Sequence, residues 1–300
     1  RAEIAKRTGA QRARPSAALT GRAGGVYIPP HRLKRMQKEL AKDKGSEQYQ
    51  RVRWEKLRKG INGIVNKVNV SNIKDIIPDL FDFNLVRGRG LFCRSIMKAQ
   101  LASPGFTHIY CALVAVLNTK MPEIGELLLK RIIIHFRRAY RRNDKVLAIS
   151  LVKFIAHLVN YQVAHEILAL QLLTLLLENP TEDSVEVAVN FVKECGQMLG
   201  ELTPQGLHAI FERFRGILHE GETDKRVQYT IEGLFAVRKS EFADYPAVHP
   251  ELDLVEREDQ ITHEVGLDDK LDKEDHLDVF RLDPKYAENN ALWRKIRADI

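Results

Sequence analysis

The chain has 300 residues, 44% of them hydrophobic and 29% charged, which is enough apolar material for one large domain or two small ones. It contains no run of eighteen apolar residues and its first residues lack an apolar signal core, so neither a membrane span nor secretion is expected. It begins at Arg1 rather than Met and reads as a fragment.

The net charge of +7 conceals a gradient. Residues 1–60 carry 17 Lys and Arg against 5 Asp and Glu, a net +12, while residues 241–300 carry 8 against 17, a net −9. A basic front and an acidic back point to different partners at the two ends. Cys93, Cys111 and Cys195 are far apart and each has apolar neighbours. They form no metal-ligand pattern and read as buried free thiols in a reducing compartment.

Residues 1–45 have little apolar periodicity, and an extended basic arm is expected there. Within it, Gly24-Gly25-Val26-Tyr27-Ile28-Pro29-Pro30 is an apolar, aromatic peptide held extended by its two prolines and followed by a basic run containing Arg32 and Arg35. Such a segment is a solvated linker, docks in a partner's groove, or neutralises phosphates.

Helical periodicity starts at Glu47 and continues for nearly two hundred residues. The pattern predicts helices near 47–69, 71–83, 88–101, 106–118, 121–140, 143–159, 164–177, 182–200, 204–219 and 223–239. Ser71, Asn143, Thr181 or Asp183, Thr203 and Thr223 are candidate N-caps, and Pro122 and Pro204 suit first-turn positions. Paired, these helices give units starting near 47, 88, 121, 164 and 204, close to the ~40-residue period of HEAT-type hairpins. The expected fold is all-α: a HEAT-repeat-like solenoid of about five antiparallel helix pairs over residues 46–240. Residues 241–300 lose the periodicity and read as an acidic, mostly irregular extension, with short helices near 273–281 and 286–299. Phe280, Leu282, Tyr286 and Trp293 would tack it to a surface.

The first predicted helix is unusual. Trp54, Leu57, Ile61, Ile64 and Val68 define the face it buries, and on a helical wheel Gly60, Gly63, Asn66 and Lys67 fall together opposite. Two glycines one turn apart inside a helix cost about 1 kcal/mol each relative to alanine. The stripe is either a tolerated surface pair or bare backbone that another macromolecule approaches closely.

Arg137, Arg138, Arg141 and Arg142 crowd the C-terminal end of another helix, where they complement its dipole or hold an RNA backbone or an acidic partner. Arg87-Gly88-Arg89-Gly90 reads as a turn whose glycines start a helix, with Arg87 and Arg89 available to an RNA backbone. The run 224–239 buries Val227, Ile231, Leu234 and Phe235 and leaves Arg226 and Lys239 outside. No phosphate-binding glycine loop, zinc pattern or nucleophile elbow occurs. His108, His135, His157 and His165 lie in apolar helices and read as interior residues. Catalytic residues, cofactors and metals are not expected.

Ile61-Asn62-Gly63-Ile64-Val65-Asn66-Lys67-Val68 resembles the asparagine-lysine signature of the middle domain of initiation factor four-G, and residues 224–239 resemble that domain's closing helix. The stretches 24–30, 86–91 (Val-Arg-Gly-Arg-Gly-Leu), 140–145 (Tyr-Arg-Arg-Asn-Asp-Lys) and 178–188 are similar to a spliceosomal branch of that superfamily. The resemblance implies a nuclear HEAT-repeat scaffold required for pre-mRNA splicing. It binds a DEAD-box ATPase, the initiation-factor-four-A type III core of the exon junction complex, and holds its two lobes apart for delivery to spliced RNA. By residue matching, Gly63, Asn66 and Lys67 would contact one lobe, and Arg226 and Lys239 the other. Tyr27, Pro29, Arg32, Arg35, Arg87, Arg89, Arg137, Arg138, Arg141 and Arg142 are left for RNA or other spliceosomal proteins. An RNA-binding solenoid and a translation-initiation scaffold are the alternatives. The resemblance also implies a second helical domain beyond an acidic linker, not present in these 300 residues.

Overall fold

A computed structural model describes residues 45–220 and 224–300, together with His31 and Asp43. The expected arm over residues 1–45, including Tyr27, Pro29, Arg32 and Arg35, therefore lies almost wholly outside the described residues. Eleven α-helices occur among those described: α1 Glu47–Val65, α2 Ile73–Phe81, α3 Leu85–Ala102, α4 Thr107–Lys120, α5 Pro122–Arg141, α6 Lys145–Asn160, α7 Glu166–Glu178, α8 Glu182–Leu202, α9 Pro204–Glu220, α10 Lys225–Lys239 and α11 Tyr286–Asp299.

The helix starts have local causes. Asn84 Oδ1 accepts from the Arg87 N–H at 3.0 Å and opens α3 at Leu85. Gly88 and Gly90 thus fall inside the helix rather than in the expected turn. Asp144, not Asn143, caps α6 through the Leu147 N–H at 3.1 Å, because Asn143 is in the left-handed region with φ 53°. Thr181 and Ser184 form a reciprocal capping box at α8. Proline occupies the first position of α5 and of α9, where the missing N–H costs no hydrogen bond.

The chain divides into two compact units, Ile61–Asp278 and a smaller one made of residues up to Gly60 with Val279–Ile300. In the larger unit, α2, α4, α6, α8 and α10 pack each on the next, with α3 against α5 and α7 against α9. This is the nearest-neighbour, two-layer packing of stacked hairpins. Consecutive helices pair from residues 85, 122, 166 and 204. The core is aliphatic and phenylalanine-rich, with Phe92, Phe136, Phe154, Phe191, Phe211 and Phe214 sealed from solvent. No strand occurs among the described residues; a single bridge pairs Ala164 with His263.

Residues 240–278 depart most from the expectation. They run as a strap over the larger unit, back toward the start of the helix order. Glu241 and Phe242 are both left-handed, with φ 53° and 58°, which reverses the chain after α10 and sets the Phe242 ring against Gly196 of α8. The strap then bonds Gln197 through the Ala247 N–H, Gln162 through the Thr262 hydroxyl, and Val163 and His165 through the His263 main chain. Asn118 donates to the Ile261 carbonyl, and Gln171 accepts from the Leu267 N–H. The apolar anchors are Phe242, Leu252, Val265 and Leu267, all buried.

Where a helix was expected over 273–281 there is only a short 3-10 turn, Asp275–Asp278. The carbonyls of Lys273 and Glu274, which a helix would use for its first bonds, accept from the buried Arg131 guanidinium instead.

In the smaller unit, the buried Gln50 side chain donates to the Asp283 carbonyl at 2.8 Å and accepts from its N–H at 2.9 Å. Tyr49 meets Tyr286 edge-on, and Arg51 lies over the Phe280 ring. Tyr286 and Trp293 are buried as expected, but Leu282 is 51% exposed and anchors nothing.

Candidate protein-binding site

The glycine-bearing end of α1 is open. Trp54, Leu57 and Ile61 are buried as expected, but in the last turn Val65 is the buried residue, while Ile64 and Val68 are only half-buried. A Cβ built on Gly63 meets nothing within 4 Å, and Asn66 and Lys67 are exposed. Helix α1 ends at Val65, so Asn66 and Lys67 stand in its C-terminal turn. The N–H groups of Asn66 and Lys67 donate to the carbonyls of Asn62 and Ile64.

That turn is braced from beyond. Asn69 and Asn72 exchange main-chain to side-chain hydrogen bonds at 2.8 and 2.9 Å, and Asn72 also donates to the Lys67 carbonyl at 2.9 Å. Among the described residues Lys67 makes no ion pair. The result is bare backbone, an amide and an uncommitted ammonium on a turn held by a double asparagine clamp. Sequence reading missed the clamp, although the i, i+3 spacing of Asn69 and Asn72 was its signal.

At the far end of the helix order, α10 buries Val227, Ile231 and Leu234, while Phe235 is half-buried and packs edge-on to Phe211. Arg226 is exposed and pairs with Glu186 at 3.2 Å; Lys239 is exposed. The same helix carries Tyr229, 71% exposed, and Gly233, with open space where a Cβ would stand. Sequence reading did not single out this i, i+4 pair.

The basic residues of the middle helices separate into two groups. Arg89 pairs with Glu274 at 3.5 Å, and Arg137 donates to the Asp269 carbonyl at 2.9 Å. Arg131 is the most committed. Its guanidinium is buried, pairs with Asp278 at 2.9 Å, and donates to the carbonyls of Gly90, Lys273 and Glu274. The strap thus occupies arginines that the sequence offered to RNA. Arg87 is half-buried, and Arg138, Arg141 and Arg142 remain exposed at the end of α5.

Residues 58–241 match the family model described as MIF4G domain. The chain belongs to the MIF4G domain family. It is 58% identical over 282 residues to the pre-mRNA-splicing factor cwc22 of Aspergillus fumigatus, which covers 94% of this chain and 32% of that relative. It is 56% identical over 282 residues to the pre-mRNA-splicing factor CWC22 homolog of Homo sapiens, covering 94% of this chain and 31% of that protein. Against the Xenopus laevis homolog it is 58% identical over 279 residues, 93% of this chain and 35% of the relative. The chain spans about a third of the length of the curated relatives it matches.

Three helix glycines of this MIF4G domain serve the strap rather than a client. A Cβ on Gly90 would lie 2.6 Å from the Leu277 Cβ; one on Gly125 would collide with Asn118 and crowd His263; one on Gly196 would collide with the Phe242 ring. Among the described residues, Gly63 and Gly233 each combine a place in an α-helix with open space where a Cβ would stand.

The remaining ionisable groups inside the fold are structural. Burial opposes the Glu194 carboxylate, but the neighbouring His157 ring at 3.1 Å and the Lys153 ammonium at 2.6 Å outweigh it and hold its carboxyl down to about 2. Burial, with the neighbouring His157 and His249, presses His108 down to about 4. Burial raises the thiols of Cys93, to about 12, and of Cys111 and Cys195. Such thiols are poor nucleophiles and poor metal ligands.

Proposed function

We propose that this MIF4G domain is a scaffold of a pre-mRNA-splicing factor. It grips a DEAD-box ATPase of the initiation-factor-four-A type III kind and holds its two lobes apart for delivery to spliced RNA in the nucleus. Gly63, Asn66 and Lys67 seat one lobe; Arg226 and Lys239, at the other end of the helix order, reach the second. Arg138, Arg141 and Arg142 face other spliceosomal components. The chain supplies binding surface and leaves ATP turnover to its client.

The observation that carries this reading is the open flank of Gly63 beside the exposed Asn66 and Lys67. Bare helix backbone allows a partner to come closer than any side chain permits. A single unpaired ammonium on a braced turn gives that approach direction and specificity. The names of the relatives support the spliceosomal setting.

The test is a pull-down of the purified ATPase by this chain carrying Gly63→Tyr, or Asn66→Asp with Lys67→Glu. Gly63 has open space beside it and Asn66 and Lys67 are exposed, so the circular dichroism spectrum should stay helical while binding is lost. Undiminished capture by both variants would remove the assignment.

A further inference from the structure

Two stretches that sequence reading singled out, Tyr140–Lys145 and Glu178–Ala188, find no use in helicase binding, yet the fold brings them together. The α5–α6 turn and the α7–α8 turn border a cavity of about 530 Å³. Ala148, Leu176 and Val187 give it an apolar floor.

Most of its polar lining is already committed. Asp144 and Thr181 cap their helices, and Lys145 lies 2.9 Å from Asp183 and 2.6 Å from Glu186. Uncommitted charge stands only on the side of α5. Arg138, Arg141 and Arg142 are exposed, Arg141 lines the cavity, and none of the three forms an ion pair among the described residues. Arg141 donates from Nε to the Arg137 carbonyl, which leaves its outer nitrogens free.

Helix α5 itself shows what its arginines are suited to hold. About one and nearly three turns before Arg141, Arg137 and Arg131 bind an acidic segment, the strap, through main-chain carbonyls and the Asp278 carboxylate. Planar guanidinium groups recognise carboxylates and carbonyls in this way wherever they line up along a helix. The same arrangement suits RNA poorly. The one aromatic ring, Tyr140, is half-buried, stacks on Phe136 and donates its hydroxyl to the Leu175 carbonyl, so it offers no face to a base.

We propose that this cavity and the end of α5 dock an acidic peptide segment of a partner protein. An aliphatic side chain enters the cavity, and flanking carboxylates lie on Arg138, Arg141 and Arg142. The proposal goes beyond the helicase reading and uses none of its contact residues.

The probe is a fluorescein-labelled dodecapeptide of glutamate and aspartate with one central leucine, titrated against the whole chain by fluorescence anisotropy. A matched peptide with serine for leucine and a labelled twelve-nucleotide oligouridine serve as comparisons. The leucine peptide should bind and weaken with salt. The serine peptide should bind roughly tenfold more weakly, the loss expected for one buried leucine side chain. Arg138→Glu with Arg141→Glu and Arg142→Glu should abolish binding while the chain stays helical and still captures the ATPase. Should the triple variant fail to fold, Arg142→Glu alone should weaken binding several-fold. Ala148→Leu, which fills the cavity, should bring the leucine peptide down to the level of the serine one. Absence of acidic-peptide binding at low salt, equal binding of the two peptides, or oligouridine binding more tightly through the same arginines would each overturn the proposal.

Discussion

Replacing Arg131 by methionine isolates what holds the strap. The side chain is 4% exposed, makes one ion pair with Asp278, itself 14% exposed, and donates to the carbonyls of Gly90, Lys273 and Glu274. Methionine fills much of the same volume, so the cost is electrostatic: a carboxylate left in a half-dry site and three carbonyls without their donor. Breaking one side of a buried ion pair costs about 3–5 kcal/mol. A local loss of that size accelerates hydrogen exchange by about two to four orders of magnitude. The assay is amide exchange at Leu267, Asp269 and Leu277 in the strap, with helix α8 as internal reference. Adding Asp278→Leu removes the stranded carboxylate and should restore about half of the loss, a coupling that a double-mutant cycle reads directly. An acceleration below tenfold in Arg131→Met, or a double variant no better than the single, would refute the buried-charge account.

Gly196→Ala should loosen the other end of the strap, because the added methyl collides with the Phe242 ring; limited proteolysis should then cut between residues 242 and 262 while α8 persists. Unchanged resistance would show that the ring shifts freely. Acid should destabilise the fold in two steps. The His108 pKa is lowered from 6.5 to about 4, so the unfolded chain binds the proton first, and the stability its neutral form contributes is lost as the pH falls from 6.5 toward 4. Glu194, lowered from 4.5 to about 2, adds a loss of the same sign below 4.5. Urea midpoints measured from pH 7 to pH 4 should fall steadily, and His108→Phe should flatten the upper part of that fall.

Sequence alone carried the helices, because their causes are local. Apolar residues at 3.6 spacing, a proline at 122 and at 204, and the Thr181 cap act within a turn or two of chain, and the pairing of consecutive helices follows from short connections. The exposed end of α1 was legible for the same reason: a helical wheel needs only neighbours in sequence, though it took Ile64 and Val68 for buried where Val65 is, and ran the helix through Asn66 and Lys67. The strap was not legible. Its anchors bind partners far along the chain, 50 residues away for Ala247 and Gln197 and 145 for His263 and Asn118, and no local pattern encodes such pairs.

Charge shows the divide most clearly. From composition, the basic middle helices and the acidic end of the chain looked like surfaces for two outside partners. Folding joins part of each to the other, since a buried guanidinium finds its cheapest partner in the chain's own carboxylate and carbonyls. Which arginines remain for others was therefore decided by tertiary structure, through the route the strap takes across α3 and α5. Which residues could form helices at all was decided in the sequence, where propensity and period act before any long-range contact exists.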